Sequence, residues 1–104
     1  MRRVAFTMHL KTGCEEEYLR RHDEIWPELA EELRRAGIRD YSIFLDPATG
    51  VLFAVQKLTA DNSIVDLPAK PVMKKWWDFM ADIMDVNPDH SPVCIPLDEV
   101  FHLD

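Results

Sequence analysis

Val4, Phe6, Met8 and Leu10 alternate with Arg3, Ala5, Thr7 and His9, the two-residue period of a strand that buries one face. The period then changes. Thr12 and Glu15 have the spacing of a capping box, and Gly37 suits the left-handed residue that closes a helix, so a helical segment is expected over 13–36. Pro27 interrupts it, because proline lacks an amide hydrogen and collides with the preceding turn. Either the helix kinks near Ile25 and Trp26, or a fresh helix starts with Pro27 in its first turn. "DYSIFL" (40–45) and "VLFAVQKL" (51–58) read as strands joined through "DPATG" in a hairpin. A second helical region should end in "PVMKKWWDFMADIM" (71–84), where Met73, Trp76, Met80 and Ile83 fall three or four apart. "NPDHSP" (87–92) is a polar loop, and "PLDEVFHL" (96–103) alternates again as a last strand.

The order strand, helix, strand, strand, helix, strand is that of an α+β, ferredoxin-like βαββαβ fold, with an antiparallel four-stranded sheet and its helices on one face. The third strand is apolar on both sides, with Val51, Phe53 and Val55 on one and Leu52 and Ala54 on the other. Helices cover only one of those faces, and a second copy of the chain is the simplest cover for the other. A homodimer packed sheet against sheet is therefore expected.

Composition narrows the function. The 104 residues, 47% hydrophobic and 30% charged, fit a single domain spanning 1–104. A formal charge of -7 argues against nucleic acid, whose binders gather lysine and arginine. The apolar stretch near the start is broken by Thr7 and His9 and is too short for a signal region or a membrane span, so no membrane partner and a cytoplasmic location are expected. Cys14 and Cys94 lie far apart without a CxxC pair, the scattered His9, His90 and His102 lack metal-ligand spacing, and three glycines make no phosphate loop. Neither metal nor nucleotide cofactor is expected. Lys70, Lys74 and Lys75 read as a solvated helix face.

Candidate chemistry sits on the helices. Tyr18 and His22, four apart in "EYLRRHDEIWPEL" (17–29), share one helix side with about 5–6 Å between their Cβ atoms, and could bracket a small polar ligand. Histidine exchanges a proton near neutral pH, although a helix-edge histidine bonded to a backbone carbonyl would look the same in sequence. Trp76 and Trp77 point about 100° apart, so one belongs to the core while the other is free to offer a ring face to a ligand such as a sugar, unless both are core. Tyr41 is a further candidate, or one half of a cross-strand aromatic pair. In "NPDHSP", Asn87 and Asp89 either bind a ligand or, as the stronger reading, serve the turn.

Together "EYLRRHDEIWPEL", "DYSIFLD", "KKWWDFMADIMDVNPD" and "SPV" resemble L-rhamnose mutarotases almost end to end, in the same order and at about the same spacing. The resemblance implies a dimeric α/β barrel and interconversion of the α and β anomers of L-rhamnose without metal or cofactor. It implies His22 as proton donor, with Tyr18, Tyr41, Trp76 and Trp77 holding the sugar. It leaves the base open between water and a tyrosine hydroxyl. The chain departs from the family pattern at Pro68 and Pro71, where a helix is expected, at His90 in place of asparagine, and at His102 in place of tyrosine. Another enzyme of the dimeric barrel class, a cofactor-independent monooxygenase or a haem-degrading protein, and a non-catalytic sugar-binding module are the alternative readings.

Overall fold

Pro27 begins a fresh helix. The computed structural model describes all 104 residues, and in it α1 (Glu15–Asp23) ends four residues before α2 (Pro27–Arg35), which carries Pro27 at its first position. Proline is tolerated there because that amide has no partner in any helix. Gly37, at φ +95°, closes α2 in the left-handed region. The capping box does not form: Cys14, not Thr12, is the cap of α1, and no side chain bonds the first turn. Glu15, Glu16 and Glu17 face the positive end of the helix dipole instead.

The other elements are β1 (Arg2–His9), β2 (Ile38–Asp46), β3 (Val51–Leu58), α3 (Pro71–Met80) and β4 (Ile95–Leu97), with a short 3-10 helix at Ile64–Ala69 before α3. Pro68 lies in that 3-10 turn and Pro71 opens α3, so the two prolines split this stretch as their chemistry requires. The sheet runs β2-β3-β1-β4, and every neighbouring pair is antiparallel. This is the α+β arrangement expected from the order of elements.

Register sorts the faces. Phe6 pairs with Ala54 and Met8 with Leu52, and this side lies under the helices, where Met8, Leu10, Leu52 and Ala54 join Tyr18, Leu29, Trp76 and Met80 in the main core. The other side carries Phe53 beside Phe44 and Val55 beside Ala5. No element of the chain covers it: Phe44 is 64% exposed and Phe53 41%.

β2 contains a bulge that the alternation did not reveal. Ile38 opposes Leu58 and Arg39 opposes Lys57, but the next regular pair is Ser42 with Val55, so Asp40 and Tyr41 together stand opposite one residue, Gln56. Asp40 takes φ +48° to fit. The extra residue resets the alternation, so Ile38 and Ile43 both face the helices although they are five positions apart, and Tyr41 turns to that side with them.

The last strand is shorter than its alternation predicts. Only Ile95–Leu97 pairs, against Ala5–Thr7, and residues 98–103 form no strand. A strand needs a partner row of backbone groups, and past Leu97 the tail finds none within the chain, which leaves Val100, Phe101 and Leu103 at least 77% exposed. No helix is long and apolar enough to cross a membrane.

Candidate active site

Side chains four apart on α1 stack. The Tyr18 and His22 rings lie 4.2 Å apart at 28°, and the Nδ1–H of His22 donates to the carbonyl oxygen of Tyr18 at 3.0 Å. Because that oxygen only accepts, the bond places the ring proton on Nδ1 and leaves Nε2 unpaired. Burial lowers the His22 pKa below its usual value, opposed by the Tyr18 carbonyl and the charge of Asp23. His22 is thus more often neutral at pH 7, and its protonated form is a stronger acid than a free imidazolium.

Aromatic rings from the other helices hold this pair. Trp76 of α3 is buried and meets His22 edge-on at 5.5 Å and Trp26 edge-on at 5.0 Å. Trp77 is only partly buried. The neighbouring tryptophans therefore divide as one turn of helix requires, Trp76 into the core and Trp77 towards open space.

Arg21, unremarked in the sequence, fixes α1 in place. Its buried guanidinium donates to the Phe79 carbonyl at 2.7 Å, to Asp82 at 2.9 and 3.2 Å and to Glu17 at 2.6 Å, and lies 4.4 Å from the Phe79 ring centre. Hydrogen bonds from Arg21 hold the Asp82 carboxyl below its usual pKa. The residue next to His22 thereby ties α1 to the end of α3.

A cleft of about 1040 Å³ runs between helices and sheet, lined by Tyr18, His22, Tyr41, Trp76 and Trp77. All five sequence candidates meet there. A pocket of about 80 Å³ shares those five walls and adds His90 from the loop after α3. Burial raises the Tyr18 pKa, with the nearby Tyr41 adding to it. Tyr41 is pushed up to about 12 by burial, and the Gln56 amide beside its hydroxyl pulls the other way. Although 36% of Tyr41 stays exposed, its hydroxyl end is the desolvated part. Both phenols keep their protons at neutral pH and serve as hydrogen-bond donors. Asn87 and Asp89 bond Ser91 within their own loop, which is turn chemistry. Lys70, Lys74 and Lys75 are exposed, as a solvated face should be. Gln56, missed in the sequence, carries no pattern that marks it, since it acquires its place beside Tyr41 through the bulge of β2.

A deep aromatic cleft with one free imidazole nitrogen suits a small sugar-like ligand, and the comparisons agree. The sequence pattern that defines L-rhamnose mutarotases matches residues 3–103. The chain belongs to the L-rhamnose mutarotase family. It is 57% identical over 104 residues to an L-rhamnose mutarotase of Phocaeicola vulgatus and 55% identical over 104 to one of Bacteroides thetaiotaomicron, each match covering all of both chains. The crystal structure of an L-rhamnose mutarotase from Formosa agariphila superposes with a TM-score of 0.93 at 51% identity, again over the whole of both chains. The mutarotase match thus extends over nearly the whole of the described fold.

Proposed function

We infer that residues 1–104 act as one domain that interconverts the α and β anomers of L-rhamnose, an isomerase reaction. The observation that carries the reading is the free Nε2 of His22, held by the Tyr18 carbonyl inside an aromatic cleft. The family match favours neither the oxygenase and haem readings nor a bare binding module.

Ring opening moves two protons. An acid delivers one to the ring oxygen as the bond from that oxygen to the anomeric carbon breaks, and a base removes the other from the anomeric hydroxyl as its oxygen forms the carbonyl. Rotation about the neighbouring carbon–carbon bond presents the other face, and the same transfers in reverse close the ring. His22 is the donor, through Nε2, with its lowered pKa making the imidazolium a ready acid. Tyr18 and Tyr41 donate hydrogen bonds to sugar oxygens, and Trp76 and Trp77 pack against the C–H faces of the ring. Their raised pKa values make the two phenols poor bases. The reaction slowly proceeds unaided in water, so one well-placed acid and a shaped pocket accelerate it without a metal or cofactor.

The open face of the sheet fits a second copy. Phe44, Phe53, Ile95 and Leu97 lie exposed on it, and sheet-against-sheet pairing buries all four and completes the dimeric barrel. Two free cysteines suit a reducing cytoplasm. The functional reading is tested by the exchange rate between anomers of L-rhamnose and of other 6-deoxy and ordinary sugars, followed by saturation-transfer NMR with and without protein. Exchange of L-rhamnose at the background rate would remove it.

A further inference from the structure

Only two polar side chains are buried in the chain, Arg21 and Gln56. The Arg21 guanidinium is engaged by Glu17, Asp82 and the Phe79 carbonyl, and its role in holding α1 is plain. Gln56 is the one without such a role. It is 7% exposed on the central strand β3, where its companions on the helix-facing side are Leu52, Ala54 and Leu58, each at most 1% exposed. Another leucine would continue that pattern. An amide taken out of water costs free energy unless its N–H and C=O groups find partners, so its presence here calls for a use in the cleft that it lines.

The use stands on the neighbouring strand. The bulge of β2 sets Asp40 and Tyr41 together opposite Gln56 and turns Tyr41 to the helix side, which brings phenol and amide to one wall of the cleft. The amide draws the Tyr41 pKa down against the upward push of burial, and this is the effect of an N–H given to the phenol oxygen, because such a bond favours the phenolate. Tyr41 still keeps its proton at neutral pH. A phenol oxygen has one O–H to give and lone pairs to receive with, so an amide that occupies a lone pair leaves the O–H for a ligand. Two other polar walls are built the same way. Nδ1 of His22 bonds the Tyr18 carbonyl at 3.0 Å and Nδ1 of His90 lies 2.9 Å from Oδ1 of Asp78, so each ring is held at one nitrogen and leaves the other for the pocket.

Resting on the mutarotase reading, we propose that Gln56 is a positioning residue for the sugar: its amide N–H binds the Tyr41 phenol oxygen and directs the Tyr41 O–H at a hydroxyl of the bound ring. The bulge and the amide then form one device, the first aiming the Tyr41 side chain and the second aiming its hydroxyl. Gln56 acts through Tyr41, so its effect falls on sugar affinity, and the proton transfer from His22 proceeds without it.

The test is a double-mutant cycle of Gln56→Met and Tyr41→Phe, read by L-rhamnose binding through tryptophan fluorescence and by kcat and KM of anomer exchange. Methionine keeps the length and unbranched shape of glutamine and lacks the amide, and urea midpoints show that each variant is folded. With Tyr41 present, Gln56→Met should weaken L-rhamnose binding roughly 2- to 10-fold, the worth of one neutral hydrogen bond, raising KM and leaving kcat nearly unchanged. In the Tyr41→Phe background no hydroxyl remains to be aimed, and the same substitution should change affinity by less than about twofold. Gln56→Leu, a residue that β3 already carries at Leu52 and Leu58, repeats the cycle with a second shape. Sugar affinity unchanged by both Gln56 substitutions overturns the proposal. An equal loss in the two backgrounds also overturns it, by assigning the amide to packing or to a contact of its own, and either result leaves the mutarotase reading intact. A wild-type protein that leaves exchange at the uncatalysed rate overturns the parent reading and this one with it.

Discussion

The ring of His22 is fixed by the residue one helical turn before it: Nδ1–H donates to the Tyr18 carbonyl at 3.0 Å while the two rings stack at 4.2 Å. One bond and one stack set both the tautomer and the direction of Nε2. Replacing His22 by Gln should therefore slow anomer exchange by roughly 10²–10⁴, the usual worth of a positioned acid, with the secondary structure unchanged by circular dichroism. Tyr18→Phe keeps the stack and the backbone carbonyl, so its loss should fall on sugar affinity and leave most of kcat. Equal rates for folded His22→Gln and wild type would return the segment to ordinary packing.

The same histidine links pH to stability. Its folded-state pKa lies below the unfolded value of about 6.5, so the unfolded chain binds a proton first as pH falls. Its contribution is complete above about pH 6.5 and is lost as pH drops through the lowered folded value. Urea midpoints measured at pH 8 and at pH 5 should fall less steeply in His22→Gln than in wild type.

A second acid-sensitive element lies one residue away. Arg21 keeps the Asp82 carboxyl ionised below its usual range, so this pair contributes stability above the unfolded Asp value of about 3.9 and loses it as pH falls through the folded one. Asp82 is itself well exposed, and Asp82→Asn should cost only about 1 kcal/mol at pH 7. That difference should vanish near pH 2. A difference that persists there would mean that the asparagine disturbs packing and that the charge pair is not its cause.

What the sequence made legible and what it hid divide by distance along the chain. Tyr18 with His22, and Trp76 with Trp77, follow from helical geometry within one turn, and they converge as the residue pattern and the family resemblance implied. The Arg21 clamp on Asp82, the Gln56 amide beside Tyr41 and the His90 bond to Asp78 join segments whose approach no local period encodes. Local signals also failed where tertiary partners decided the outcome. Thr12 and Glu15 had capping spacing, but the helix starts at a cysteine cap. The alternation of 96–103 had a strand period, yet only Ile95–Leu97 found a neighbour in β1. The interruption at Pro27 was legible because it depends on one residue's own covalent structure, while the choice between a kink and a fresh helix was settled only by the fold.

Trp76 and Trp77 give a contrast within two adjacent positions. Trp76 is 7% exposed and packed edge-on against His22 and Trp26, so Trp76→Ala should cost about 3–5 kcal/mol through the cavity it leaves. Trp77→Ala should cost less stability and more sugar affinity. Thermal melts paired with sugar titrations separate the two, and two variants with equal thermal losses and intact binding would make both tryptophans plain core.

The bare sheet face should bring two chains together. Light scattering at micromolar concentration should give twice the 12.1 kDa of one chain. Phe53→Glu, which places a charge at the middle of the face and touches none of the cleft, should halve that mass. A wild-type chain that scatters as a monomer would show that its exposed phenylalanines have some other role.

Asp40 controls where Tyr41 points. As the extra residue of the β2 bulge it holds φ +48°, a conformation that costs a branched side chain far more than glycine or asparagine. Asp40→Gly should therefore retain or slightly raise stability, losing only the exposed contact of Asp40 with Lys57 at 3.3 Å, a surface pair of small worth. Asp40→Val cannot take that backbone without strain of order 1–3 kcal/mol. The strain is relieved by shifting the bulge, and a bulge displaced by one residue turns Tyr41 to the open face, away from Gln56 and the cleft. Asp40→Val should then bind sugar more weakly than Asp40→Gly, and it should do so even at temperatures where both are folded. Equal sugar affinity in the two folded variants would show that the bulge does not set the direction of Tyr41, and that its place in the cleft comes from packing against the helices instead.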